Sequence, residues 1–319
     1  MSYLLKKASL LTVVATGGLF FSLTFLQGDA STETGTAKYL RNHDEALAQA
    51  KQTNKPVFAF FQEVPGWAGC KVFGREVMTN PIIVDAVENS FVPLLTINNK
   101  KGKDAEILKK YNEPAWNYQV VRFLNADGKD LIPRRDNINT QHALSTRMIS
   151  ALEKAKQPVP KTLQLLNKAT DSSKLAQAAF SCHCYWTGEY KLGGHPGVMT
   201  TEAGWLDGHE VTLVSYRTDI VSITELIKYA QKQQVANSIY LSTAQQKKEA
   251  KSIAKNAKSL SGYRKAKPSD QKRQIGGTPY SKLKLSPEQA CKVNAFCRSN
   301  PAKAISFLTT KQKAQLKNN

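Results

Sequence analysis

The N-terminal half of the chain switches repeatedly between helical and extended patterns of apolar residues. Leu40, Ala46, Leu47 and Ala50 recur at helical spacing within Tyr39 to Ala50, which predicts an amphipathic helix. Lys55-Pro56 then precedes the unbroken apolar run Val57-Phe58-Ala59-Phe60-Phe61, the pattern of a strand buried on both faces. A loop from Glu63 to Cys70 leads into a helix through Val77, a second helix from Pro81 to Ser90 and a strand from Phe91 to Ile97. Asp104 to Tyr111 predicts a helix. Gln119 to Leu124 predicts a strand that turns at Asn125-Ala126-Asp127-Gly128, and a further helix ends near Ala155. Lys156 to Lys161 contains Pro158 and Pro160, which discourage a continuing helix, so a linker and a domain boundary are expected there. After a helical stretch from Thr162 to Asn167, an apolar strand, Leu175 to Phe180, delivers Ser181-Cys182-His183-Cys184-Tyr185-Trp186-Thr187-Gly188-Glu189.

A length of 319 residues fits about two domains, and 41% hydrophobic residues argue for packed cores rather than disorder. The net charge of +20 raises nucleic acid or an anionic membrane surface as partners. Most of that excess lies after residue 245, where 18 Lys and Arg stand against 3 Asp and Glu. The chain has neither zinc-finger spacing nor an aromatic RNA-binding strand nor an obvious recognition helix, so nucleic acid is not expected and an anionic membrane surface is the preferred reading. Lys6 and Lys7 followed by an uncharged apolar run, Ala8 to Leu26, read as a secretory signal with a cleavage site at Gly28-Asp29-Ala30, or as an uncleaved signal anchor spanning residues 1–30. Either reading places the body of the protein outside the cytosol, in a periplasmic or other extracytoplasmic compartment.

Five cysteines, Cys70, Cys182, Cys184, Cys291 and Cys297, are too few to scaffold a chain of this length and suit redox chemistry better. The β-α-β-α-β alternation with a cysteine just after the first strong strand resembles the thioredoxin-like fold over residues 36–155. Where a dithiol oxidoreductase of that fold has Cys-x-x-Cys, this chain has Trp67-Ala68-Gly69-Cys70, and Gln119 replaces the cis-proline of the substrate groove. Cys70 therefore reads as a small buried apolar residue or as a lone exchange thiol in a degenerate motif. A docking or accessory role is expected of this domain.

Cys184 is better placed for chemistry. A helix starting there would turn its free N–H groups and dipole towards the sulfur, Tyr185 and Trp186 would build an apolar wall, and Glu189 would follow about one turn later to hold or donate a proton. A zinc site from Cys182, His183, Cys184 and His195 is disfavoured because adjacent residues rarely converge on one tetrahedral ion. His195 and His209 read as structural histidines. No metal or organic cofactor is called for.

This segment is similar to the catalytic region of the A-type peptide methionine sulfoxide reductases, with the cysteine, both aromatic positions and the glutamate in register. The similarity continues through Pro196-Gly197-Val198, Gly204-Trp205, Gly208-His209-Glu210-Val211, Ile223 to Ile227 and, more weakly, residues 237–257. It implies a ferredoxin-type α/β domain over residues 162–285, so that α/β and α+β units follow one another, with a basic helical tail carrying two cysteines over residues 286–319. It further implies that the Cys184 thiolate attacks the sulfur of an oxidised methionine, free or in proteins, while Glu189 protonates the oxygen and Tyr185 and Trp186 pack around the methyl group. The sulfenic acid left on Cys184 would be resolved by Cys182, Cys291 or Cys297 and recycled by a thioredoxin-type disulfide reductant. Cys291 and Cys297, six residues apart on a capped helix after Ser286, point to different faces, and they bridge each other only if the helix ends between them. The family's long substrate loop is replaced by a tight turn at Asp207-Gly208, so Tyr280 or Tyr190 is a candidate for a missing phenol. A thiol-disulfide oxidoreductase using Cys70, or a redox-inactive envelope protein, is the alternative.

Overall fold

The computed structural model describes residues 32–116 and 119–317. The expected signal or anchor, residues 1–30, lies outside the described residues. No helix among the described residues is long and apolar enough to cross a membrane.

The first domain is an α/β sandwich. Its elements are α1 (His43–Thr53), β1 (Val57–Gln62), α2 (Ala68–Glu76), α3 (Pro81–Ser90), β2 (Val92–Ile97), α4 (Lys103–Lys110), β3 (Val120–Leu124), α5 (Gln141–Lys154) and α6 (Lys161–Thr170). β1 is the central strand, parallel to β2 and antiparallel to β3. All six of its residues are buried, as the apolar run predicts, yet they divide with the period of two. Phe58 and Phe60 enter the core beneath α2, α3, α5 and α6, whereas Val57, Ala59 and Phe61 enter the one beneath α1 and α4. Phe58, Phe91 and Phe123 form a triangle of tilted and edge-on rings 5.6–6.0 Å apart. The ends of α3 follow from Asn80, whose side chain accepts from Ile82 and Ile83 N–H, with Pro81 at the first helical position.

The domain boundary needs correcting. The proline-containing stretch is a short turn, and α6 packs Leu163 and Leu166 into the same core as Leu144, Met148 and Leu152 of α5. The first domain thus extends to Thr170, beyond the expected linker at residues 156–161.

The second domain comprises β4 (Leu175–Ser181), α7 (Tyr185–Gly193), β5 (Val198–Leu206), β6 (His209–Arg217), α8 (Ile223–Lys232), β7 (Ser238–Leu241), α9 (Ala244–Ala250), β8 (Lys258–Ser259) and β9 (Arg264–Lys265). Strand order is β8-β7-β4-β6-β5-β9, and each of the inner four strands is antiparallel to its neighbours within that set. The inner β-α-β-β-α-β succession, with β6 inserted between β4 and β5, is the split β-α-β arrangement of ferredoxin-type folds. Asp207 and Gly208, both at positive φ (49° and 78°), close the β5–β6 hairpin in two residues. The tight turn expected from the sequence is therefore present.

The C-terminal helices are α10 (Pro287–Phe296), α11 (Pro301–Ile305) and α12 (Thr310–Lys317). They form no free tail. α10, capped by Ser286 and Gln289, buries Cys291 against α7, and the Lys311 N–H of α12 donates to Asp85 of α3 at 3.1 Å.

Candidate active site

β4 ends at Ser181, the chain bends at His183, and α7 begins with Cys184 as its N-cap in extended conformation (φ −147°, ψ 125°). Cys184 is half-buried and makes no side-chain capping bond, whereas the other four cysteines are buried, and all five thiols are free. α7 can sit this close to the sheet because residue 188 is glycine. A Cβ there would meet Thr212 Oγ1 at 2.1 Å and Cys182 Sγ at 3.2 Å.

The aromatic wall is larger than expected. Tyr185 is buried, with its ring edge-on to Trp186 at 5.7 Å and to Trp205 of β5 at 5.8 Å. Burial, followed by the Asp270 carboxylate, raises the Tyr185 phenol above its ordinary range. Trp186 donates its indole N–H to the Asp270 carbonyl at 2.8 Å, and the Arg273 guanidinium covers its ring at 5.1 Å.

Two carboxylates flank this corner in different ways. Glu189 is 0% exposed, on the inward stripe formed by Tyr185, Gly188, Glu189 and Leu192. Its Oε2 accepts the Lys272 backbone N–H at 2.7 Å, and its Oε1 is ion-paired with Lys272 Nζ, which also donates to the Thr201 carbonyl. Glu210 of β6 instead accepts the Tyr185 N–H at 2.9 Å, so its carboxylate fills the helix N-terminus beside Cys184. Neither Glu210 nor Lys272 stands out in the sequence as a site residue. Their partners lie 25 and 83 residues away, beyond any local spacing.

The segment from residue 263 to 274 straps this region. Tyr263 lies on Gly204, where a Cβ would meet its ring at 2.3 Å, and its hydroxyl bonds Glu202 and the Ala203 carbonyl; burial raises its phenol well above the ordinary range. The Gln271 side chain bonds both N–H and C=O of Ala203. Of the expected phenols, Tyr280 is buried in a separate C-terminal core near the Pro301 carbonyl, and Tyr190 is half-buried on α7.

The three proposed resolving thiols are spread apart. Cys182 Sγ donates to the Cys184 carbonyl at 2.9 Å, and burial pushes this thiol up. Cys291 lies against Gly193, at the opposite end of α7 from Cys184. Cys297 belongs to the core of Ile275 and Tyr280, where its thiol donates to the Gln274 carbonyl at 3.3 Å. Cys291 and Cys297 thus enter different cores, as their spacing predicts.

The histidines have structural surroundings. His195 Nδ1 accepts the Gly197 N–H at 3.0 Å, its ring lies edge-on to Tyr229, and burial, followed by the nearby Lys292, lowers its pKa. Lys292 is itself buried and donates to the carbonyls of Gly193, His195 and Val198. His183 and His209 are exposed. Among the described residues no group of three or more His, Cys, Asp or Glu is arranged to hold a metal ion.

In the first domain, Cys70 occupies the third position of α2, fully buried, and burial pushes its thiol up. Trp67 is the N-cap of α2 and is 69% exposed, at the place where a first thiol would stand. A groove of about 540 Å³ runs beside it, lined by Gly69, Val72, Phe73, Gln119, Asp136, Asn137 and Asn139.

These features define a thioredoxin-like domain with one buried thiol, joined to a ferredoxin-type domain with a half-buried one. Residues 38–126 match the family model described as thioredoxin-like. The chain also has a structural likeness to a solved structure titled DsbH oxidoreductase, 18% identical, covering 40% of this chain and 92% of that one, with a TM-score of 0.32. No curated protein matches the chain.

Proposed function

We propose that the protein is a thiol-dependent reductase of methionine-S-sulfoxide, with Cys184 as its nucleophile. One observation carries this reading: Cys184 is the half-buried thiol among four buried ones, at the N-terminus of α7, beside a three-ring aromatic wall and a carboxylate. The Cys184 thiolate attacks the sulfoxide sulfur, and the oxygen then passes from that sulfur to the Cys184 sulfur as the transient sulfur–sulfur bond breaks and the thioether departs. Glu210, at the same helix end, takes the proton from the Cys184 thiol and passes it to the sulfoxide oxygen, and Glu189 anchors α7 to the strap through Lys272 instead. The products are methionine and a sulfenic acid on Cys184, which a thioredoxin-type dithiol ultimately reduces. Tyr185, Trp186 and Trp205 offer the methyl group an apolar surface.

The thioredoxin-like domain acts in this reading as a docking module in an extracytoplasmic protein. Disulfide exchange through Cys70 has the fold in its favour but only one thiol, which is buried. The test is incubation of the purified protein with methionine-S-sulfoxide and dithiothreitol, followed by chromatography of methionine. Methionine formation lost in Cys184→Ser supports the proposal; no methionine, or an unchanged rate in that variant, overturns it. Insulin reduction dependent on Cys70 but not on Cys184 would transfer the activity to the first domain.

A further inference from the structure

We propose that Cys182 is the resolving thiol, forming a disulfide with Cys184 across the single residue His183. This rests on Cys184 as the nucleophile and specifies how its oxidised form is relieved. The chain bends at His183, and the Cys182 thiol is turned along the chain onto residue 184, 2.9 Å from its carbonyl oxygen. Cys182 is itself buried under α7, but only one residue separates the two cysteines, so their Cα atoms are already within bridging reach and the bond calls for side-chain rotation and adjustment at this bent linkage.

The other thiols face larger obstacles. Cys291 packs against Gly193, nine residues along α7 from Cys184, or roughly 13 Å at the helical rise, and is sealed in the core between α7 and α10. Cys297 ends α10 in another core, and its thiol is given to Gln274. Cys70 is buried on the inner face of α2 in the first domain. A disulfide requires its Cα atoms within about 7 Å, so each of these pairings needs an element to detach.

The chemistry balances. Hydrogen peroxide or a sulfoxide takes two electrons from the Cys184 thiolate and leaves Cys184–SOH. The Cys182 sulfur then attacks that sulfur, the S–S bond forms, the S–O bond breaks, and the Cys182 proton leaves with the hydroxide as water. A bridge spanning one intervening residue is strained, which makes it readily reducible by an external dithiol.

Peroxide tests this independently of sulfoxide reduction. The reduced protein is treated with one equivalent of hydrogen peroxide in the presence of dimedone, which traps sulfenic acids, then digested with trypsin. Both cysteines fall on one peptide, Leu175–Lys191. In the wild type this peptide is expected to lose two hydrogens and carry little dimedone. In Cys182→Ser and Cys182→Ala it is expected to carry dimedone on Cys184, at least five-fold more than in the wild type. Equal dimedone labelling in wild type and variants, a Cys184 linkage to the peptides of Cys291 or Cys297, or a Cys184 left unoxidised overturns the assignment. The wild-type map needs no variant to fold. Methionine formation without the internal disulfide would sink the Cys182 role alone, whereas an internal disulfide without methionine formation would sink the sulfoxide reading alone.

Discussion

Glu189 and Glu210 differ in burial and in the partner that holds each. Both are glutamates near Cys184 in the fold, but Glu189 lies wholly inside and is neutralised by Lys272, so its loss should be felt first as stability. Removing one partner of a buried ion pair costs about 3–5 kcal/mol, whereas replacing both with uncharged residues of similar volume costs much less. Lys272→Met should therefore lower the unfolding free energy by several kcal/mol in urea titrations, and adding Glu189→Gln should restore part of it. Purely additive losses would show that the pair is not coupled. Glu210→Gln should instead leave stability within about 1 kcal/mol and change reactivity. Removing a negative charge beside the sulfur should speed iodoacetamide alkylation of Cys184 several-fold at pH 7, measured by mass spectrometry, with the four buried cysteines unlabelled until guanidinium is added.

His195 gives a pH prediction of definite sign. Its Nδ1 accepts a hydrogen bond and so must be unprotonated, and burial beside Lys292 depresses the folded-state pKa below the ordinary value. As the pH falls through about 6.5, the unfolded chain takes up a proton that the folded chain resists, and stability drops until the folded-state pKa is passed. His195→Gln should flatten that acid limb in denaturation curves collected from pH 7.5 to 5. An unchanged slope would place the proton uptake elsewhere.

At the scale of elements, legibility followed the reach of each signal. Pro81 marked the start of α3, and the apolar run from Val57 marked β1, because helix starts and burial patterns act within a few residues. Asp207-Gly208 announced the hairpin because its two positive φ values favour such residues. The split sheet of the second domain followed only from a resemblance, since no local pattern says that β6 inserts between β4 and β5. α6 lies on the other side of the boundary from the one its prolines suggest, for a comparable reason. Pro158 and Pro160 do turn the chain, but whether Leu163 and Leu166 return to the preceding core is a tertiary fact. The same holds for the site: Cys184 and its two aromatic neighbours are visible in one short string, while Glu210, Trp205 and Lys272 reach it from other elements. The close seat of α7 on β6 gives a prediction at this scale. Gly188→Ala should destabilise the second domain by at least 1–3 kcal/mol, the range for overpacking, because Thr212 occupies the space of the new methyl group. A melting temperature equal to wild type would mean that α7 can lift without cost.

For the molecule as a whole, charge is the least specific feature and the easiest to test. The basic excess after residue 245 is spread over α9, the strap and the C-terminal helices. Residues 32–319 should co-sediment with vesicles containing phosphatidylglycerol but not with phosphatidylcholine alone, and should be released by 0.5 M salt, because exposed charges are screened over about 4 Å at such ionic strength. Salt-resistant binding would indicate an apolar contact instead.

The contact between α12 and α3 has a consequence for how the chain is made. Asp85 is synthesised more than two hundred residues before Lys311, so the face of α3 that α12 covers stays open to solvent while the second domain emerges. During that interval the first domain has to hold its shape with its own core, which the triangle of Phe58, Phe91 and Phe123 and the docking of α6 already complete. The late arrival of α12 then adds a second fastening between an early-folded unit and a late one, beside the bond from Arg217 of β6 to the Lys168 carbonyl of α6, and a chain halted before residue 310 would keep only the first.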